Sequence, residues 1–126
     1  MDKHIETGKR GEALAVQYLK SKGYEILETN WRSVHKEIDI IAMDNGELVI
    51  VEVKTRGTDY FGYPEEAVDA KKQKLLISAA QDYVDKIDSE AGVRYDIISI
   101  VLTRQSYTIN HIIYNFWFRV SRSKNR

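Results

Sequence analysis

The sequence predicts an α/β fold of element order αβββαβ with a short final strand, and three observations carry that prediction. Near the N-terminus, Gly11, Leu14, Ala15, Tyr18 and Leu19 recur at helical spacing and stop at Gly23, a residue suited to a helix C-terminus. Asn45-Gly46 then sits between two apolar runs, and both central positions of a type I′ hairpin turn need positive φ. Leu75, Leu76, Ala79, Ala80, Tyr83, Val84 and Ile87 form a second helical stripe, followed by a nearly continuous apolar run from Ile97. That second helix is long enough for a right-handed crossover, so the strands before and after it should be parallel. The result is a mixed central sheet with helices packed on it.

The elements follow in order. Helix one is expected from about Gly8 to Lys22. Tyr24 to Trp31 reads as a first strand, with Ile26 and Leu27 apolar. The hairpin from Glu37 to Lys54 supplies strands two and three. Thr55 to Tyr63 reads as an aromatic, glycine-containing loop leading to Pro64, the only proline. Helix two is expected over about Asp69 to Lys86, with Asp69 as a candidate N-cap. Residues 65–68 fit either a first helical turn or an irregular entry. Asp88 to Gly92 is a loop, Val93 to Leu102 a buried strand, and Tyr107 to Ile109 a short last strand. The aromatic segment from His111 to Val120 has no clear period.

The chain has 126 residues, 43% hydrophobic and 30% charged, with a formal net charge of zero. This composition fits a single domain, 1–126, with a core of its own and flexible tails at 1–6 and 121–126. Zero net charge argues against indiscriminate coating of nucleic acid. Cysteine is absent, which excludes disulfides and thiolate zinc sites. No run is long enough to span a bilayer, and the N-terminus has no apolar signal-peptide region. A cytoplasmic protein without a membrane partner is expected.

The hairpin carries the chemistry. With Asn45-Gly46 at the turn, Asp44 opposes Glu47, Ile41 opposes Ile50, Asp39 opposes Glu52 and Glu37 opposes Lys54. Opposed residues share a face, so four charges gather at one end of one face. The other face, Ile38, Ile40 and Ala42 against Val53, Val51 and Val49, is wholly apolar. Two facing carboxylates repel, more so when covered, and Ile41, Met43, Leu48 and Ile50 imply that this face is covered. A divalent cation between Asp39 and Glu52 removes the conflict, and hard oxygen ligands suit Mg²⁺ or Mn²⁺. The Val53 backbone carbonyl offers a further hard ligand. Lys54 is placed to orient a metal-activated water or to offset phosphorane charge during phosphodiester hydrolysis. Glu12 lies on the margin of the first helical stripe, where it can reach the metal. Glu37 is a supporting residue that holds Lys54 or joins the metal shell. The competing interpretation is a solvated ion-pair ladder on an exposed strand, with Glu12 a first-turn acid favoured by the helix dipole.

Four stretches carry a family resemblance: TGKRGE from Thr7, GYEILETNWR from Gly23, EIDIIA from Glu37 and VEVKTR from Val51. With GYPEEAV from Gly62, Lys71 and RYDII from Arg94, they resemble the YraN-type bacterial family, over most of residues 7–102. Its members are regarded as endonucleases and are largely uncharacterised. The family is similar to the PD-(D/E)xK nuclease superfamily, near archaeal Holliday-junction resolvases. The resemblance implies a restriction-endonuclease-like core, with Asp39, Glu52 and Lys54 as catalytic residues and Glu12 as the acid of the first helix. It implies a Mg²⁺- or Mn²⁺-dependent endonuclease acting on nucleic acid, DNA before RNA, and extends by analogy to branched or structured DNA. A resolvase-like enzyme needs two active sites, so a homodimer is the matching assembly. The segment from Asn110 to Phe118 departs from the family's small-residue ending.

Weaker candidates for phosphate contact are Arg56, Lys71, Lys74, Lys9 and Arg10. Lys72 belongs to the same basic cluster at the start of helix two. Tyr60, Phe61 and Tyr63 fit loop anchoring better than base stacking. His4, His35 and His111 lack ligand spacing, and Asp96 fits a structural pairing with Arg94. Two other classes stay open: a nucleic-acid-binding module of the same fold that does not cleave, and a protein-interaction adaptor using Phe116, Trp117 and Phe118.

Overall fold

The computed structural model describes residues 3–57 and 70–118. The elements are α1 (Lys3–Ser21), β1 (Glu25–Arg32), β2 (Glu37–Asp44), β3 (Glu47–Gly57), α2 (Ala70–Ile87), β4 (Val93–Leu102) and β5 (Tyr107–Phe118). The five strands form one sheet in the order β1-β2-β3-β4-β5. All neighbours are antiparallel except β3 and β4, the parallel pair joined through α2. This mixed α/β architecture is the expected one and is compatible with a restriction-endonuclease-like core.

Strand alternation divides the core between two faces. On one, Ile41, Leu48, Ile50, Tyr95 and Ile97 pack against Leu76, Ala79, Ala80, Tyr83 and Val84 of α2. On the other, Ile40, Ala42, Val49, Val51, Ile98 and Ile100 pack against Ala15 and Leu19 of α1. β3 and β4 lie between the helices and are buried on both faces, which explains their unbroken apolar runs. Leu48 N–H donates to the Gly92 carbonyl at 2.9 Å and starts the parallel ladder.

Three boundaries differ from the sequence reading. α1 begins at Lys3 rather than near Gly8. A glycine lowers helix propensity by only about 1 kcal/mol, which neighbouring turns outweigh. Ile87 is 39% exposed and leaves the inner stripe of α2 in its final turn. The last strand is not short: β5 continues to Phe118. Ile113 faces Asp96 and Trp117 faces Arg94, so four steps of β5 cover two of β4. That bulge breaks the two-residue alternation by which a strand is recognised. The expected loop at Thr55–Pro64 is β-strand as far as Gly57. Its remainder, residues 65–68, Asp69 and the C-terminal tail lie outside the described residues.

Candidate active site

The site begins where two strands part. Asn45 and Gly46 have φ of 50° and 83°, as the hairpin turn requires. The expected register holds from Asp44↔Glu47 to Ile40↔Val51. In a continuing ladder the next hydrogen-bonded pair would be Ile38 with Val53. Instead Val53 N–H donates to the side chain of Asp39, Oδ2, at 2.8 Å. On the other edge of β2, Thr29↔Ile40 and Trp31↔Ile38 keep one register, with Asn30 at a left-handed φ of 51° between Thr29 and Trp31. Ile38 joins the α2 core, although it is two residues from Ile40 on the α1 side. This corrects the expected apolar face, which placed Ile38 with Ile40 and Ala42. Asp39 therefore sits in a split between β2 and β3, not on a regular strand face. The Val53 carbonyl shares an edge with its N–H and faces the same split.

Glu52 and Lys54 lie two residues apart on β3. Lys54 Nζ is 2.9 Å from Glu52 Oε2, and Lys72 Nζ of α2 is 3.3 Å from the same oxygen. Tyr95 of β4 donates its hydroxyl to Glu52 Oε1. Burial works to raise the Glu52 carboxyl, but the Tyr95 hydroxyl and the two ammonium groups outweigh it and lower it to about 2. Glu52 is thus firmly ionised and has partners on both oxygens.

Asp39 is the opposite case. Burial pushes it up to about 6, against the pull of the Val53 N–H, and the charges of Glu12 and Glu52 raise it further. Glu12 comes within electrostatic reach because α1 approaches β3 closely. A Cβ added at Gly11 would lie 1.9 Å from Thr55 Oγ1 and 2.9 Å from Thr55 Cβ and Cγ2. Only glycine allows that approach. The adjacent Glu12 is half-buried, and its charge acts on Asp39.

A small cleft of about 10 Å³ lies over the split, lined by Lys36, Glu37, Ile38, Asp39, Glu52 and Leu76 among others. That is the room one water occupies. The cleft is lined mainly by apolar surface, and what fits a hard divalent cation is the set of carboxylates beside it, Asp39 being made uncomfortable by Glu12 and Glu52. Among the described residues, no three acidic or histidine side chains converge as a closed ligand shell. Mg²⁺ does not need one: it commonly takes one or two carboxylates, keeps several waters and accepts substrate oxygens.

The other candidates are dispersed. Glu37 lines the cleft but is exposed and lies opposite Arg32 of β1 in the sheet register. The expected Glu37–Lys54 partnership is absent among the described residues, because the ladder that would have opposed them ends at Ile40↔Val51. Lys54 turns to Glu52 instead. Arg56 is half-buried and its Nη1 donates to the Thr55 carbonyl at 3.3 Å. Lys9 and Arg10 on α1, and Lys71 and Lys74 on α2, are exposed. The alternative of a solvated ladder is not met, since the Lys54 and Glu52 side chains are only 17% and 12% exposed.

Tyr95 is a Glu52 partner that the sequence reading does not include. The parallel register Glu52↔Ile97, and hence Tyr95 on the same face, could have suggested it once β3 and β4 were taken as neighbours. A second polar cluster lies on the α1 side of the sheet. Asp96, fully buried, binds Arg94 Nε at 2.8 Å, His111 Nε2 at 2.7 Å and the Tyr24 hydroxyl at 3.1 Å. Arg94 also reaches Asp44 at 3.1 Å and Glu47 at 3.2 Å, tying the hairpin turn to β4. The sequence points to the Asp96–Arg94 pair, and the structure adds His111 to it.

No helix among the described residues is long and apolar enough to cross a membrane. Residues 11–100 match the model of the uncharacterised protein family UPF0102. A UPF0102 protein of Persephonella marina is 56% identical over 95 residues, 75% of this chain and 82% of the relative. One from Bacteroides thetaiotaomicron is 46% identical over 112 residues, covering 89% and 93%. One from Christiangramia forsetii is 43% identical over 118 residues, covering 94% and 99%. The matched region contains Gly11, Glu12, the β2/β3 split and the Arg94–Asp96 pair, and the chain belongs to the UPF0102 family, the YraN-like proteins.

Proposed function

We propose that this protein is a metal-dependent endonuclease that hydrolyses phosphodiester bonds of DNA, with Mg²⁺ or Mn²⁺ as its ion. The observation that carries the reading is Asp39 in the strand split beside Glu52, with Lys54 two residues further along β3. A pure binding module has no need to hold a desolvated carboxylate among other carboxylates, at a cost in stability.

Asp39, Glu52 and the Val53 carbonyl would hold the ion, with Glu12 contributing directly or through water. Bound there, it supplies polarisation of the phosphate and a lowered pKa for a coordinated water. The Val53 N–H fixes one oxygen of Asp39, leaving the other to face the cleft. Lys54 is held beside Glu52, where its ammonium can orient the attacking water or offset charge developing on the phosphate. Tyr95 fixes the rotation of the Glu52 carboxylate from below. The exposed Lys9, Arg10, Lys71 and Lys74 supply cations on the two helices for neighbouring phosphates.

The test is a cleavage assay on four-way junctions, flaps, single strands and plain duplex, with Mg²⁺, Mn²⁺ or EDTA. Cutting of at least one substrate that needs metal and is lost in Asp39→Ala is expected. Cutting that survives Asp39→Ala sinks the assignment. Salt-sensitive binding with no cutting of any substrate favours the non-catalytic module.

A further inference from the structure

We propose that Lys72 is a second functional lysine of this site: a divalent cation displaces it from Glu52, and it then binds a substrate phosphate. The inference rests on the cation-dependent reading above and adds a residue to it.

Glu52 Oε2 carries two ammonium groups, Lys54 at 2.9 Å and Lys72 at 3.3 Å, while Oε1 takes the Tyr95 hydroxyl. Those donors take three of the roughly four lone-pair directions of the carboxylate, so a cation shared with Asp39 meets a crowded Glu52, and both lysines repel it. The two lysines differ in what they can do about it. Lys54 is on the same strand as Glu52, two residues away, so its backbone keeps it beside the carboxylate. Lys72 comes from a different element, at the first described turn of α2, and its side chain is 26% exposed against 17% for Lys54. Its four-carbon stem lets the ammonium swing from the carboxylate to solvent with little change in the helix.

The cation improves the balance of charge as it releases Lys72. Without a cation, Asp39, Glu52 and Glu12 face Lys54 and Lys72. With one, the ion supplies two positive charges and releases Lys72 at the rim of the cleft, on the side where Lys71 and Lys74 are already exposed. The phosphate of an incoming strand is an anion that can take the place of Glu52 beside Lys72. Lys72 thus makes cation binding weaker in the absence of substrate and nucleic-acid binding tighter in its presence. A lysine that only braced Glu52 would give no such opposition of signs.

The experiment titrates Mn²⁺ calorimetrically into the intact wild type, Lys72→Gln, Lys72→Arg and Lys86→Gln, the last removing the same charge from the far end of α2. Labelled DNA, as single strand, duplex and four-way junction, is then bound in Ca²⁺ over a range of salt. Lys72→Gln should bind Mn²⁺ about fivefold tighter, bind DNA about fivefold weaker, and lower the log–log salt slope by about 1. Lys72→Arg should keep the DNA affinity, and Lys86→Gln should match the wild type in both. Equal or weaker Mn²⁺ affinity in Lys72→Gln overturns the displacement, and unchanged DNA binding overturns the phosphate role. Absence of Mn²⁺ binding in the wild type overturns the cation-dependent reading itself, a failure distinct from one seen only at Lys72.

Discussion

Asp39 Oδ2 accepts the backbone N–H of Val53 at 2.8 Å, a bond in which a side chain of one strand replaces the carbonyl of that strand. The substitution opens the sheet between β2 and β3 and places a carboxylate where a ladder bond would have been. Its energetic consequence is unfavourable, because burial and the nearby Glu12 and Glu52 charges all oppose ionisation of Asp39.

Asp39→Asn should therefore stabilise the metal-free protein. The amide oxygen can keep the Val53 bond, and the amide nitrogen can donate toward the neighbouring carboxylates. A gain of about 1 kcal/mol, raising the melting midpoint by about 3–5 °C in EDTA at neutral pH, is expected. A lower midpoint would show that the charge on Asp39 supports the fold.

Gly11→Ala should damage both fold and site. The new Cβ meets the whole Thr55 side chain, including its Cβ at 2.9 Å, and rotamer change alone cannot relieve that. A loss of about 1–3 kcal/mol is expected, with a displaced Glu12 and reduced metal-dependent cutting. Adding Thr55→Gly should restore part of the midpoint. Denaturant melts of the single and double variants measure this, and equal midpoints for the wild type and Gly11→Ala would refute the close approach.

Asp96 sets an acid limit on stability. Burial works to raise its carboxyl, but hydrogen bonds from His111 and Arg94 and their charges hold it below its ordinary 3.8. A carboxyl lowered on folding contributes stability that is fully present above its unfolded pKa. That contribution is lost as pH falls through the lower folded value. Stability should be insensitive to Asp96 above about pH 5 and fall below about pH 4. In Asp96→Asn the stability at neutral pH should be lower by about 3–5 kcal/mol, since Arg94 is left half-paired. Its acid dependence should also be shallower, and parallel acid profiles for the two proteins would contradict this.

Much of this was legible in the chain because local rules and tertiary packing agree. Asn45-Gly46 fixed the hairpin register, and that register brought Asp39 and Glu52 together. The two helical stripes and the buried run from Ile97 gave the layers. What the sequence hid is non-local or irregular. Ile38 and Ile40 belong to cores on opposite sides of the sheet, which simple alternation cannot foresee. The separation of β2 from β3 frees Lys54 from Glu37, while pairing rules had joined them. Tyr95 and Lys72 reach Glu52 only because β4 and α2 fold over β3, 43 and 20 residues away in sequence. The β5 bulge obscured the last strand in the same way.

The most direct measurement is Mn²⁺ binding followed by electron paramagnetic resonance in the wild type, Asp39→Asn and Glu52→Gln, with and without DNA. The expected result is a single site per chain that both substitutions abolish or weaken by at least about tenfold, with fold retained in each. Equal Mn²⁺ affinity in all three proteins would contradict the claim that the β2/β3 split holds the ion. So would the absence of any site in the wild type, even with DNA present.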